Sequence, residues 1–468
     1  MQSNVVNAKR RQAKRQYLAS SAIRITPNDT LLIQQDIYNE PNRQKLDDSG
    51  EKWVRFFTQN NTFQKNLFAI ANNSPTLRRI IEDKTSMIAG DGFVPVLGKS
   101  NSIISTSKKA VPVTNEKQLS DIEAAVEKVN LHGQNLQDVL TMLAKDYEMF
   151  GNCFAEIVKA RIGTEQVCYL YHVPVHFFAI HKTGQDRVVR EYGVYDCWEE
   201  VPLNFNADEA STFTERGFRE IAAFPLFSDH EDGTQRSIIH LAQYAPGYAY
   251  FGLPEWIAAR IWAQIEYRTQ RLNDSKFENG FMPSGILQVF GSMSNTEAKD
   301  LVDAIEDKFT GTGNNHQLFT QVLRDPNYKL QWTPLTKEQE GEFMQLCNMA
   351  AENIVTANRW SMALAGKATA GSLGTNQQMR SELEYVQNTV IKPKQNMFCS
   401  RVINPFLAIL AESNKSFRNV QFGISNTMPV SFMGEISVEN NLQVDEKREI
   451  LGYSPLQNTQ VDELNNGL

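Results

Sequence analysis

Between Tyr250 and Trp360 the chain sets out two long amphipathic helices with a small, turn-punctuated unit between them. That layout restricts the architecture more than any other stretch. Gly252 and Pro254 mark the predicted start of the first helix, since proline is tolerated in a first turn where its missing N–H has no partner. Leu253, Ile257, Ile261 and Ile265 then recur every four residues, and Trp256 and Trp262 widen the apolar stripe. No breaker intervenes before Asn279 and Gly280, a predicted C-terminal cap, so a helix from Leu253 to Glu278 would span roughly 39 Å. After a turn at 281–285, Ile286 to Phe290 reads as a strand. Ser294 and Glu297 have capping-box spacing, and Ala298, Leu301, Val302, Ile305 and Phe309 line the helix they would start. Leu318 to Leu323 and Tyr328 to Leu335 are two further strand candidates around the turn Asp325-Pro326-Asn327. The return helix carries Phe343, Leu346, Met349, Ala350 and Ile354, up to Trp360. Two apolar-faced rods bridged by a compact cap make a poor lone globule and a good ring subunit.

The rest of the chain divides by periodicity. Residues 1–30 are polar, with a basic cluster from Lys9 to Arg15. Ser74-Pro75 opens a predicted helix bearing Leu77, Ile80, Ile81 and Ile88, ending near Gly90; Lys99 to Thr114 reads as an exposed loop or hairpin. Helical spacing returns at Glu116 to Val129 and at Leu136 to Phe150, where Gly151-Asn152 stops it. The period then drops to two, with a hairpin predicted around Gly163 and strands at 177–181, 187–194 and 221–225. A helix through Met379, Leu383, Val386 and Val390 is expected to kink at Pro393 and run on toward Val402 and Phe406. Val420 to Ile424 and Val430 to Phe432 are strand-like, and Val444 to Leu451 is a short helix.

Several function classes are disfavoured. No apolar run approaches the ~20 residues that cross a bilayer, and the basic N-terminus lacks the apolar segment of a secretory signal, so a cytoplasmic place of synthesis and no membrane are expected. The five cysteines are scattered without a C-x-x-C pair and read as buried free thiols. His172, His176 and His181 invite a metal reading, but His181 falls on the other face of a strand from the first two and no carboxylate or cysteine stands at a ligand-like offset; structural histidines are preferred. Gly366-Lys367 is no phosphate loop, because Ser361 stands where that motif needs glycine and Ala368 where it needs Ser or Thr. The carboxylates Asp303, Glu306 and Asp307 fit a solvated helix face. No catalytic constellation emerges, no cofactor or metal is expected, and an enzyme is disfavoured.

Five runs carry a resemblance: Tyr250-Phe251-Gly252-Leu253-Pro254; Phe277 to Leu287; Gly341-Glu342-Phe343; Gly151-Asn152-Cys153-Phe154-Ala155-Glu156; and Asp445 to Gly452. In order and spacing they resemble the portal proteins of tailed bacteriophages, specifically the PBSX-type portal family, in weaker form from Asn73 to Leu456. The resemblance implies a mixed α/β (α+β) portal fold. Its parts would be a flexible basic arm (1–30), a wing of helices then a β-rich lobe (31–252), a first stem helix (253–279), a small α/β clip (280–336), a second stem helix (337–360), a candidate tunnel loop (361–376), a wing or tunnel helix (377–415) and a C-terminal wing or crown segment (416–468).

It also implies a dodecameric ring at one capsid vertex, the channel for genome packaging and ejection. The implied partners are double-stranded DNA held without sequence specificity, the major capsid protein, the terminase large subunit and head-tail adaptor or tail proteins. The place would be the virion, after assembly in the host cytoplasm. Another head-tail connector or minor capsid protein is the alternative. On this reading Trp256, Ile257, Ile261, Ile265, Phe343 and Leu346 would form the stem interface, and Ser294, Glu297, Asp303, Asp307 and Asp325 would present the clip to terminase or adaptor. The small-residue, nearly uncharged run from Ser361 would face DNA through Ser361, Gly366, Lys367, Thr369, Ser372, Thr375 and Asn376, with a mere linker as the other reading. The net charge of −7 suits a conduit, because each phosphate held by a cation steepens the salt dependence of binding and a sliding duplex needs few such holds.

Overall fold

The computed structural model describes residues 52–55, 62–97, 111–184, 186–196, 198, 217–278, 285–290, 329–334, 340–367 and 376–426. In the N-terminal half the helices begin where a side chain can cap them. After strand β1 (Trp53–Val54), α1 (Thr62–Asn73) runs into Ser74, whose hydroxyl accepts the Leu77 amide and opens α2 (Pro75–Ala89) with proline in its first turn. Strands β2 (Gly92–Leu97) and β3 (Val111–Pro112) follow, then α3 (Glu116–Glu127), capped by Asn115. α4 (Leu136–Phe150) has a full capping box between Asn135 and Asp138, and Gly151 closes it in the left-handed region.

From Asn152 the chain builds one large sheet. β4 (Asn152–Ile162) and β5 (Glu165–Val173) form the hairpin around Gly163, and β6 (Phe178–His181), β7 (Glu191–Val194), β8 (Arg219–Ala223), β9 (Ser228–Asp229) and β10 (Gln235–Ala242) complete it. The spatial order is β1-β6-β7-β8-β10-β4-β5, with β9 on β10. All neighbours are antiparallel except β8 and β10. Two predicted strands shrink. Phe177 falls in a 3-10 turn (Val175–Phe177), and the 187–194 strand begins only at Glu191, beyond Arg187 in the left-handed region. The central strand β10 was not anticipated.

The predicted first stem helix starts late. Pro254 is extended, Glu255–Ala259 is a 3-10 turn, and α5 proper is Arg260–Glu278. Strands β11 (Gly285–Phe290) and β12 (Lys329–Pro334) pair antiparallel, and α6 (Glu340–Ala357) returns along α5. α7 (Asn376–Val386), α8 (Lys392–Phe398) and α9 (Asn404–Ser413) form one helical run interrupted by π-helical turns at Gln387–Ile391 and Cys399–Ile403. The break expected at Pro393 is therefore taken up by the π turn before it, while proline occupies the first turn of α8. β13 (Val420–Ser425) joins β2 and β3 in a second, three-stranded sheet.

One apolar core runs through these parts: Leu77, Ile80 and Ile81 of α2, Leu140 and Leu143 of α4, Phe154 and Ile157 of the sheet, Trp256 of the 3-10 turn, Ala263 of α5, Ile354 of α6, and Phe398, Phe406 and Phe422. A smaller cluster of Trp53, Ala179, Tyr195, Trp198 and Phe218 lies at the far end of the sheet. The mixed helix and sheet class is as the sequence implied. Among the described residues no helix is long and apolar enough to cross a membrane.

Candidate functional site

The 3-10 turn and α5 spring from a knot of backbone. The Gly252 amide donates to Asn152 Oδ1 at 2.8 Å, and Asn152 Nδ2 donates back to the Gly252 carbonyl at 2.9 Å. His240 is hydrogen-bonded to the same Oδ1 at 3.1 Å, and the Gln243 amide donates to the Gly151 carbonyl at 2.8 Å. Asn152 is fully buried, so its paired bonds with Gly252 are made away from water. Two of the runs that carry the resemblance, 151–156 and 250–254, thus meet side by side, and the 3-10 turn is held where they cross. Burial drives His240 down to about 3, so it sits there as a neutral ring stacked on Phe154.

Below the knot lies a buried set of charges. Lys84 Nζ on α2, with a fully buried side chain, lies 3.0 Å from Glu255 Oε2 of the 3-10 turn and 3.6 Å from Glu148 Oε2 of α4, and donates to Asn358 Oδ1 at 3.4 Å. Lys394 Nζ of α8 lies 2.5 Å from Glu148 Oε1 and 3.0 Å from Glu255 Oε2. Two cations and two anions cancel, which is what makes their burial tolerable. Burial alone would raise the Glu255 carboxyl, but Lys84 and Lys394 outweigh it and hold the group at about 2. Desolvation pulls Lys84 down against the opposing pull of Glu148 and Glu255, whereas for Lys394 the two glutamates prevail over desolvation and raise it. Arg359 Nη1 approaches Glu255 Oε1 at 3.6 Å, which sets the end of α6 beside the beginning of the stem and makes α5 and α6 antiparallel. A second buried clasp fastens α5 to the α1–α2 corner, where Thr76 Oγ1 donates to Glu266 Oε1 at 2.7 Å and Ser74 Oγ donates to Oε2.

The predicted interface residues part company here. Trp256 is 1% exposed and its indole N–H donates to the Glu148 carbonyl, so it belongs to the subunit's own core, which corrects its assignment to an interface. Ile257 packs partly buried against that core, and Ile265 and Leu346 are half-buried. Ile261 is 53% exposed, followed at helical spacing by Ile265 and the exposed Arg268. The outward face of α6 shows Gln345, Met349 (45% exposed), Glu352 and Thr356. The Phe343 side chain lies outside the described ones, as do the clip residues Ser294, Glu297, Asp303, Asp307 and Asp325.

The start of the candidate tunnel loop is an ordered turn. Ser361 to Lys367 makes one helical turn, Ala365 N–H to Ser361 O, closed by Gly366 in the left-handed region with Lys367 N–H to Met362 O. The Ser361 hydroxyl is engaged by Glu382 and accepts the Leu364 amide, so it frames this turn and is not free to meet a ligand. Gly366 and Lys367 are exposed. Thr369, Ser372 and Thr375 lie outside the described residues, and Asn376 opens α7 with its side chain likewise outside.

The three histidines occupy three different elements. His172 is hydrogen-bonded to Asp146 at 2.8 Å, His176 sits in the 3-10 turn, and His181 packs edge-on against Trp53. Cys153, Cys168 and Cys399 are buried thiols, the last two pushed up to about 12 by burial; Cys197 lies outside the described residues.

A family model described as "Phage portal protein" matches residues 117–418, well over half of the chain. The chain belongs to the phage portal protein family. Among solved structures, the neck of a native gene transfer agent (GTA) particle computed with C12 symmetry aligns with a TM-score of 0.51 at 16% identity, covering 88% of this portal chain and 99% of that one. The neck of an empty GTA particle computed with C6 symmetry aligns at 0.50 and 16%, covering 84% and 94%. These likenesses establish a shared fold. A portal protein of the HK97 family from Corynebacterium diphtheriae aligns at only 0.39 and 10%, over 79% and 98% of the chains, too weakly to carry an argument. No curated protein sequence matches.

Proposed function

We propose that this portal chain is the repeating subunit of a ring, twelve copies around a channel at one capsid vertex, through which double-stranded DNA is packaged and ejected. The terminase large subunit and head-tail adaptor proteins dock on the ring, the major capsid protein surrounds it, and assembly takes place in the host cytoplasm before the ring becomes part of the virion. The order and spacing of the quoted motifs support the finer reading of a PBSX-type portal. Its work is structural, a conduit whose driving energy comes from the packaging enzyme.

The observation that carries this, within the portal family, is the antiparallel α5–α6 rod with a strand pair inserted between its helices. A rod of this kind has two outward faces of different character. Glu266 is consumed by Ser74 and Thr76, which leaves Arg268 exposed near Ile261 on α5, with Arg271 and Asp274 exposed further along, whereas the outward face of α6 shows Glu352 and the helix contains no lysine or arginine. Closed rings need two unlike patches on each subunit, and a face with Ile261 and Arg268 opposite a face with Met349 and Glu352 is such a pair. Class averages of the purified protein should show rings with a central hole; solitary particles in every buffer would overturn the reading.

Ile261→Asp should weaken each contact by on the order of 2 kcal/mol, the cost of an unpaired carboxylate at an apolar contact, while leaving the subunit folded. Native mass spectrometry should then find monomers and partial rings; an unchanged ring mass would remove Ile261 from the interface. Trp256→Asp is a different experiment, expected to unfold the subunit itself.

Lys367 stands exposed at the end of the turn that Gly366 closes, and we propose that it faces the channel, where a single cation makes brief phosphate contacts. Reproducible DNA cleavage by the purified protein, abolished by chelator, would instead favour a nuclease.

A further inference from the structure

The segment from Trp360 to Ile391 leaves the end of α6 and comes back into α8, and both of its feet land on the same buried charges. At the outgoing foot, Asn358 accepts from Lys84 and Arg359 reaches Glu255. At the returning foot, Lys394 binds Glu148 and Glu255. The feet also touch directly, since Arg359 Nη2 donates to the Thr389 carbonyl at 3.2 Å. Glu255 is therefore shared among the first turn of the stem and both ends of the excursion.

Two further features mark α8 as more than a spacer. π-helical turns bracket it at Gln387–Ile391 and Cys399–Ile403, each widening the helix locally, and such turns are uncommon. They set Lys394 and Gln395 inward together, with Gln395 donating to the Met87 carbonyl and to Asn426. The buried Gln387 Nε2, in the first π turn, has no hydrogen-bond partner, so that turn is held less firmly than the helix that follows it.

We propose that this cluster is a clasp coupling the placement of the 360–391 excursion to the orientation of the stem, with Lys394 as the positioning residue. If the returning foot withdraws Lys394, Glu148 and Glu255 are left with Lys84 as their one buried cation, because Arg359, 3.6 Å from Glu255, is 57% exposed and largely screened by water, so one buried negative charge is in excess. The cheapest relief is for the 3-10 turn to swing Glu255 toward water, and that turn is the root of α5. A displacement of the excursion thus loosens the stem at its base, and the reverse holds by the same linkage.

The inference rests on the reading of α5 and α6 as stem, and its test does not depend on ring formation, which native mass spectrometry reads separately. Hydrogen exchange by mass spectrometry would be followed in the full chain and in Lys394→Met. Exchange should rise roughly tenfold or more in 255–265 and in 385–391 together, and Glu148→Gln added to Lys394→Met should bring both segments back most of the way by restoring charge balance. A rise confined to 385–398 with 255–265 unchanged would overturn the coupling, as would a double variant no better than the single. Should Lys394→Met not fold, Lys394→Arg keeps the charge and alters its reach; both segments should then move together, and movement of one alone counts against the clasp.

Discussion

Gly252→Ala is expected to leave the chain unable to fold into soluble subunits. The penalty is steric. A Cβ built on Gly252 would stand 2.2 Å from the Gln243 carbonyl oxygen, 2.5 Å from its amide nitrogen and 2.6 Å from the Gly151 oxygen. All three are backbone atoms and none can rotate away. Relief requires parting the Gln243 to Gly151 hydrogen bond or the paired bonds between Gly252 and Asn152, and that disturbs the last register pair of β10 and β4, Ala242 with Asn152. Overpacking costs about 1–3 kcal/mol and each buried polar group left unpaired about the same, so the sum is a large part of the 5–15 kcal/mol that holds a typical protein together.

Gly233→Ala is the control. Its φ of 75° is strained for alanine, but nothing lies within 4 Å, so it should cost only about 1–2 kcal/mol and remain soluble. Thermal unfolding of both variants decides the matter; a Gly252→Ala protein melting within a few degrees of the parent would show that the knot is not closed.

The contrast between what could and could not be read beforehand follows from the range of the interactions. α2 and α4 were legible almost to the residue because their caps are local: Ser74 with Leu77, and Asn135 with Asp138, are three residues apart. The β4–β5 hairpin was legible from its alternation. β10 was missed although Asp232-Gly233 is a turn signal before it, because buried Ser237 and half-buried His240 interrupt its apolar pattern. Leu253 was read into the stem helix because its spacing fits, yet the bond from Gly252 to Asn152, across 100 residues, keeps that piece extended. The same applies to Trp256, whose spacing placed it on a stripe but could not say whether the stripe faced another subunit or its own core. The charged clasp gave almost no sequence signal. Lys84 and Glu255 are 171 residues apart and Glu148 and Lys394 are 246 apart, and each by itself reads as an ordinary surface charge on a helix. Lys84 does sit among Ile80, Ile81 and Ile88 on the buried face of α2, a lysine inside an apolar stripe, and that was the one signal available.

Lys84→Met is expected to destabilise the subunit by about 3–5 kcal/mol at neutral pH, even though methionine matches the shape of the lysine stem. What is lost is charge balance, since Glu148 and Glu255 then have Lys394 as their one buried cation, Arg359 beside Glu255 being 57% exposed. For a chain of 468 residues the shift in melting temperature is about 3–5 °C. The pH dependence separates this from a simple packing defect. In the parent, Glu255 titrates at about 2, below its ordinary 4.5, so its pairing stabilises the fold above the ordinary value and is lost as the pH falls through about 2. In the variant, burial is no longer outweighed by two lysines, and a carboxyl of the pair rises above its unfolded value. Such a group destabilises the fold when ionised and ceases to do so as the pH drops through its folded pKa. The gap between parent and variant should therefore narrow on going from about pH 7.5 to about pH 5, and Lys84→Met with Glu148→Gln should close much of it at neutral pH as well. Melting curves that stay parallel across that range would mean the four charges act as packing alone, and the neutral, balanced cluster at the root of the stem would lose its standing.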